Sequence, residues 1–407
     1  MTVEVVSIGS ELLRGFTIDT NAAFIGRELF ERGYEVSRHI TIPDDPSHLD
    51  KELRACLARS SMIIATGGLG PTMDDCTRNV AADLFGSGFR FDETTAANLA
   101  KRYGPNFPTI RDQATVPEKA TLLPNTIGTA PGLVFSKDNK WLILLPGVPQ
   151  EMKPMFLHHV LPLLGKIIPK QHVVSARYIH FCLMGEHELD PCMRNWKEKN
   201  PELDLGIYPS YGTLTLYIHT PNEQVLNGIV REIDEKFKTY LLPFGVRQNE
   251  EAIYAWLKEN RKTLSIAESC TGGRIASKLT AIPGISHVFL GGFVVYSNAL
   301  KQEILGVSEE TLKKNGAVSA PTVKEMISGI FARTDADFGM AISGIAGPTG
   351  GSEGKPIGTV FIALGKRGEE PQVIEHHFEG ERETIIEKAA NVALGSFWHK
   401  IAYPEAK

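Results

Sequence analysis

Basic blocks, long apolar runs and metal-spaced cysteines are all missing from this 407-residue sequence. Lys and Arg number 43 against 48 Asp and Glu, a formal net charge of -5, and they are scattered along the chain. Affinity for a phosphate backbone needs a positive footprint, so nucleic acid is excluded as the principal ligand. No stretch approaches the roughly 20 apolar residues that span a bilayer. The opening MTVEVVSIGSELL lacks a basic region followed by an apolar core, so neither a signal peptide nor a membrane segment is expected. Cys56, Cys76, Cys182, Cys192 and Cys270 are odd in number and follow no ligand spacing, which points to a reduced, cytoplasmic protein. Low-complexity tracts and internal repeats are also lacking.

What is present is an ordinary globular composition, 42% hydrophobic and 22% charged, long enough for two or three domains. Short β-branched runs alternate with amphipathic helical patterns through about the first 165 residues, as in a layered α/β domain. Val3 to Ile8 reads as a buried strand, Asn21 to Gly33 as a helix, and Tyr34 to Ile42 and Ser61 to Thr66 as further strands. Trp141 to Leu145 reads as a strand running into a helix. From His172 to Gly245 the pattern becomes strand, helix, two strands turning at Tyr211 and Gly212, and a helix from Asn222 to Leu241. This small α+β module carries no catalytic cluster and reads as a spacer or dimerisation domain. A third α/β unit opens with a helix at Asn249 to Lys262 and closes with one at Glu383 to Ile401. The expected division is therefore 1–168, 170–247 and 249–403.

Chemistry concentrates in the third unit. The string AESCTGGRIASKL, Ala267 to Leu279, puts Ser269 where a buried strand gives way to a helix. Such a turn exposes the side chain and aims the N–H groups of Cys270, Thr271, Gly272 and Gly273 at an oxyanion or phosphate. Serine needs a base, and no local histidine supplies one; His287 in ISHVF is compatible with a core position. Lys301, just after Tyr296, Ser297 and Asn298, would serve if partial desolvation lowered its pKa. The plain alternative is a solvated lysine and a glycine turn that only lets a helix pack. Cys270 is a rival nucleophile, but the residue after a nucleophile more often contributes its N–H, so Ser269 is preferred. A third string, Ser343 to Phe361, is a glycine-dense loop: Gly344, Gly347, Gly350 and Gly351 suit an anion cradle, and Ser343, Thr349, Ser352 and Thr359 add hydroxyls.

The first unit has a related turn, Thr66, Gly67, Gly68 and Gly70, followed by the pair Asp74 and Asp75. Adjacent carboxylates beside a phosphate cradle suit a hard divalent cation, with Glu11, Asp19 and Asn21 as further oxygen donors. Equally, the two aspartates are placed to cap a helix beginning near Thr77. The pairs His158 and His159, and His376 and His377, lack partners at ligand spacing and read as surface or strand residues. Tyr103 to Ile110 reads as a loop over the N-terminal site.

AESCTGG, GGFVVYSNALK, GAVS at 316–319 and SGIAGPTGGSEGKPIGTV, in that order, resemble the C-terminal domain of the CinA family, the PncC-type nicotinamide mononucleotide (NMN) deamidases. The resemblance implies a dyad of Ser269 and Lys301 with Tyr296 nearby, no cofactor, and conversion of NMN and water to nicotinic acid mononucleotide and ammonia. GSELLRG, DTN, TGGLGPT, DD, PNTIGTAPG and LPGVPQEM are similar to the N-terminal CinA domain. That implies a three-layer, molybdopterin-binding-like α/β fold and an ADP-ribose pyrophosphatase dependent on a divalent metal, Mg, Mn or Co. Met73 stands where the family commonly has histidine, so a reduced or altered pyrophosphatase is expected. The resulting expectation is a bifunctional enzyme of pyridine-nucleotide recycling, acting on small nucleotides as a homodimer. Its rivals are an N-terminal domain that binds or adenylylates a molybdopterin-like ligand, and a non-catalytic competence or DNA-repair partner.

Overall fold

The computed structural model describes residues 2–72, 75–167 and 175–404, and the chain divides into two compact units, 1–174 and 175–407. In the first, the order across the sheet is Val36–Ile42, Val3–Ile8, Met62–Thr66, Lys140–Leu145, Gly132–Lys137 and Thr121–Leu123. The first four strands run parallel and the last two join antiparallel. Every residue of VEVVSI and MIIAT is buried, as a parallel strand covered on both faces requires. Alternate side chains separate cleanly. Val3, Val5, Met62, Ile64 and Ile143 pack with Ile25, Leu29 and Phe156, whereas Val6, Ile8, Ile63, Ala65 and Leu142 pack with Leu49, Leu53 and Phe85. Burial on both faces produces three layers, each apolar side chain contributing about 1.5–3 kcal/mol.

In the second unit, Asp204–Ser210, Thr213–Thr220 and Ser175–Cys182 form an antiparallel sheet backed by helices Glu186–Lys199 and Glu223–Phe237. Gly212 turns the hairpin at φ +75°. The larger sheet has the order Phe289–Val294, Leu264–Glu268, Phe338–Gly344, Thr359–Lys366 and Gln372–His377; the first three strands are parallel and the last two antiparallel. Leu264, Ile266, Met340 and Ile362 face helices Asn249–Glu259 and Arg382–Ala402, while Ala267, Ala341 and Ala363 face helix Ala320–Arg333. Among the described residues no helix is long and apolar enough to cross a membrane.

The α+β module and the larger sheet share one core: Cys182, Leu183 and Leu242 pack with Leu264, Phe397 and Trp398. The Trp398 indole donates to the Leu241 carbonyl at 3.4 Å. Residues 175–407 should therefore unfold cooperatively. A fragment starting at Asn249, stripped of the Cys182, Leu183 and Leu242 cover, should fold but melt lower by on the order of 5 °C. Equal midpoints in calorimetry would mean that the module stabilises nothing beyond itself.

Candidate active site

Ser269 follows a strand with a parallel neighbour on each side, so it sits where three strand ends and their loops meet, the ligand edge of an open α/β sheet. The pairing continues into the turn, since Ser269 N–H donates to Ile342 O at 3.0 Å and Val295 N–H to Glu268 O at 2.8 Å. Gly272 and Gly273 hold φ +58° and +97°, a left-handed pair that a side chain would strain. Behind the turn, the buried Glu268 carboxylate accepts from Gly273 N–H at 3.0 Å, Ile275 N–H at 3.1 Å and Ala276 N–H at 2.8 Å. The last strand residue thus caps helix Arg274–Thr280 with charge-assisted hydrogen bonds.

Lys301 lies in the first turn of helix Asn298–Leu305, whose start is capped by Ser297 Oγ accepting from Leu300 N–H at 3.1 Å. Helical side chains lean toward their own N-terminus, which carries Nζ back to the preceding loop. There Nζ donates to Ser269 Oγ at 2.9 Å, Val295 O at 2.8 Å and Tyr296 O at 3.3 Å. Lys301 is 1% exposed, and no carboxylate is among these partners. Burial pushes its pKa from 10.5 down to about 8. Three acceptors suit the ammonium; in the neutral amine one position becomes a lone pair facing the serine O–H. The neighbouring Cys270 thiol is pushed the other way by burial, up to about 12, and is thereby kept protonated.

The surrounding loops refine the expected ligand set. Gly272 N–H donates to Ser269 O at 3.1 Å and Gly273 N–H to Glu268, so neither is free for an anion. The Cys270 and Thr271 N–H groups have no backbone acceptor among the described residues and lie against the Cys270 sulfur. Ser343 and Thr359, expected to offer hydroxyls, are buried struts donating to Ala317 O and Pro356 O, each at 2.8 Å. Gly344 packs against Cys270, where a Cβ would come within 3.1 Å of Sγ. Thr349, Gly350 and Gly351 are exposed at the loop tip, and the Gly347 carbonyl accepts from Arg382 at 2.7 Å. Arg382 also donates to the Tyr296 hydroxyl at 2.9 Å, tying the half-exposed ring to the glycine loop. Glu268 and Arg382 are absent from the sequence-based site; a carboxylate ending the apolar run LSIAE was the available signal for the first.

In the first unit, Thr66 ends a buried strand, and Gly67 N–H donates to Leu145 O at 3.0 Å. Gly67 has φ +110°, and a Cβ there would lie 2.1 Å from Ile8 O, so only glycine fits. Gly68 O accepts from Thr77 N–H at 3.1 Å, which folds the turn over the start of helix Thr77–Leu84; Gly70 lies against Asp75. The expected metal ligands are spent or apart. Asp75 accepts from Thr72 N–H at 2.9 Å, Asp19 caps helix Thr20–Phe30 and meets His39 at 3.1 Å, and Glu11 is exposed. Met73 and Asp74 lie outside the described residues. Among the described residues, which do not include Asp74, no group of three or more His, Cys, Asp or Glu forms a metal cage.

Both halves of the chain resemble known proteins. Residues 246–401 match the CinA C-terminal domain, and residues 4–166 match the family described as "Probable molybdopterin binding domain". A CinA-like protein of Thermotoga neapolitana is 37% identical over 397 residues, 96% of both chains. One of Thermotoga maritima is 36% identical over 400 residues, again 96% of each. The chain belongs to the CinA family. Among solved structures, CinA of Thermoplasma acidophilum is 38% identical and covers 41% of this chain and 98% of its own, with a TM-score of 0.37. A CinA superfamily protein of Escherichia coli is 36% identical over 37% of this chain, with a TM-score of 0.36.

In this CinA-family chain the buried lysine has a thermodynamic signature. Its folded pKa, about 8, is below the unfolded 10.5, so between those values the unfolded state binds the extra proton and stability rises with pH. Relative to Lys301→Met, the parent should gain on the order of 3 kcal/mol across that window and nothing below it. Urea unfolding of both proteins from pH 7 to 10.5 tests this; parallel profiles would mean that Lys301 titrates normally.

Proposed function

We propose that the C-terminal site is an amidase of the Ser–Lys type acting on nicotinamide mononucleotide. The observation that carries the reading is the buried 2.9 Å contact between Lys301 Nζ and Ser269 Oγ, with the lysine's pKa lowered to about 8 by burial. Neutral Lys301 takes the Ser269 proton as Oγ attacks the carboxamide carbon. The oxygen of the tetrahedral intermediate takes the negative charge beside the Cys270 and Thr271 N–H groups, which have no backbone acceptor among the described residues. Lys301 then protonates the departing nitrogen, releasing ammonia and leaving a Ser269 ester. Water, deprotonated by the same amine, attacks the ester; collapse frees nicotinic acid mononucleotide and returns the proton to Ser269. No step needs a metal.

Ser269→Ala and Lys301→Ala should each lower kcat at least 1,000-fold, with the double variant little worse, as for residues acting as one unit. Cys270→Ala should retain most of the rate, because its thiol is kept protonated. The active form is deprotonated Lys301, so kcat/KM should rise with pH and level off above about 8. Ammonia release from NMN measures all three. A near-normal saturated rate in Lys301→Ala would retire the dyad.

For the N-terminal unit we propose binding of a pyrophosphate-bearing nucleotide at the Thr66 to Gly70 turn, with ADP-ribose hydrolysis as its activity in the presence of added Mg²⁺, Mn²⁺ or Co²⁺. Support comes from the closed glycine turn and from Asn21, which is buried, donates to Gly147 O at 2.7 Å and leaves Oδ1 without a partner. A molybdopterin-type ligand is the second reading, favoured by the family match over residues 4–166. Incubating residues 1–174 with ADP-ribose or molybdopterin and each cation separates them. Hydrolysis should disappear in Asp74→Ala and Asp75→Ala, while chelation should spare ammonia release by the full chain. Chelator-sensitive deamidation would contradict the division of labour.

A further inference from the structure

We infer that the Thr271 side chain is a third donor to the oxyanion, beyond the two backbone N–H groups. This deepens the Ser269 acyl-transfer reading and rests on it. Around the nucleophile, the other side-chain hydroxyls and the carboxylate are paired: Ser269 with Lys301, Ser343 with Ala317, Thr359 with Pro356, and Glu268 with three N–H groups. Thr271 is the exception. It is 4% exposed, its Oγ1 is buried with no hydrogen-bond partner, and its N–H has no backbone acceptor among the described residues. Buried hydroxyls nearly always find partners, because an unpaired one forfeits its water without recompense. Valine would fill the same volume without that penalty.

The hydroxyl stands two residues past Ser269, in the turn that the Glu268 cap and the left-handed glycines hold in place. Attack by Ser269 Oγ on a planar carboxamide turns the carbonyl oxygen into an anion that needs donors already in position. Thr271 meets that need by donating a hydrogen bond while keeping its proton. The proton count of the reaction is unchanged, since Lys301 alone carries the transferred proton. In the resting enzyme the hydroxyl has nothing to bond; in the intermediate it has. An interaction made only in the transition state raises kcat rather than lowering KM.

The test compares Thr271→Val with Thr271→Ser in the full chain. Thr271→Val should lose on the order of 100-fold in kcat on NMN with KM within a few-fold of the parent. Its melting midpoint should rise by roughly 2–4 °C, as an apolar isostere replaces an unpaired hydroxyl. Thr271→Ser, which keeps the donor, should rescue the rate. A parental kcat in Thr271→Val overturns the inference. So does a lowered midpoint with lost activity, which marks the hydroxyl as structural. Should the parent release no ammonia from NMN, the substrate reading fails separately. A fluorophosphonate then probes the same donors, since Ser269 Oγ displaces fluoride from phosphorus, Lys301 accepts the proton and a phosphoryl oxygen occupies the oxyanion position. Slower labelling of Thr271→Val than of the parent upholds the inference. Equal labelling, or an unlabelled parent, overturns it.

Discussion

A lysine amine taken out of water, with only a serine hydroxyl and two carbonyls for company, is the constraint on which the C-terminal half of this protein depends. Burying the charged form is costly and no carboxylate offsets it, so the fold moves the lysine toward the neutral amine instead. That is the state a general base requires. The same burial that readies Lys301 holds the adjacent Cys270 as an inert thiol, so one environment selects between two candidate nucleophiles.

Much of the surrounding structure maintains that geometry. The parallel strand carrying Ser269 is locked between neighbours that continue to pair past its end. Glu268 spends its carboxylate on the helix behind the turn, and the N–H groups nearest the serine have no backbone acceptor among the described residues. Ser343 ties the end of one strand to Ala317, and Lys355 ties the glycine loop to Asn315 O at 2.6 Å. Arg382, at the start of the long terminal helix, joins Tyr296 to that loop. Polar groups that read as ligand contacts in the sequence are thus often struts.

The strand-turn-helix context of Ser269 and its pairing with Lys301 were legible because both lie beside strongly periodic segments and because proximity follows from adjacent parallel strands. The partners of individual hydroxyls and N–H groups were not. Whether Thr359 meets a ligand or Pro356 O depends on the path of a loop whose glycines permit many paths. Helix Ala320–Arg333 and edge strand Gln372–His377 were not anticipated either. The first begins on a Ser319 cap with proline in its first turn, and the second, QVIEHH, presents Gln372, Glu375 and His377 outward as an edge does. Asp19 was read for charge, and Asp75 for charge or for capping the helix near Thr77; instead Asp19 accepts from Ala22 N–H and Asp75 from Thr72 N–H.

The central claim is that burial lowers the Lys301 pKa to about 8 in the folded protein, bringing the neutral amine within reach of ordinary pH. NMR titration of lysine side-chain ¹³Cε resonances, assigned by comparison with Lys301→Met, reads that state without substrate. A single resonance, absent from the variant, should titrate with a midpoint near 8. A Lys301 midpoint at or above 10, like that of a solvated lysine, would contradict it.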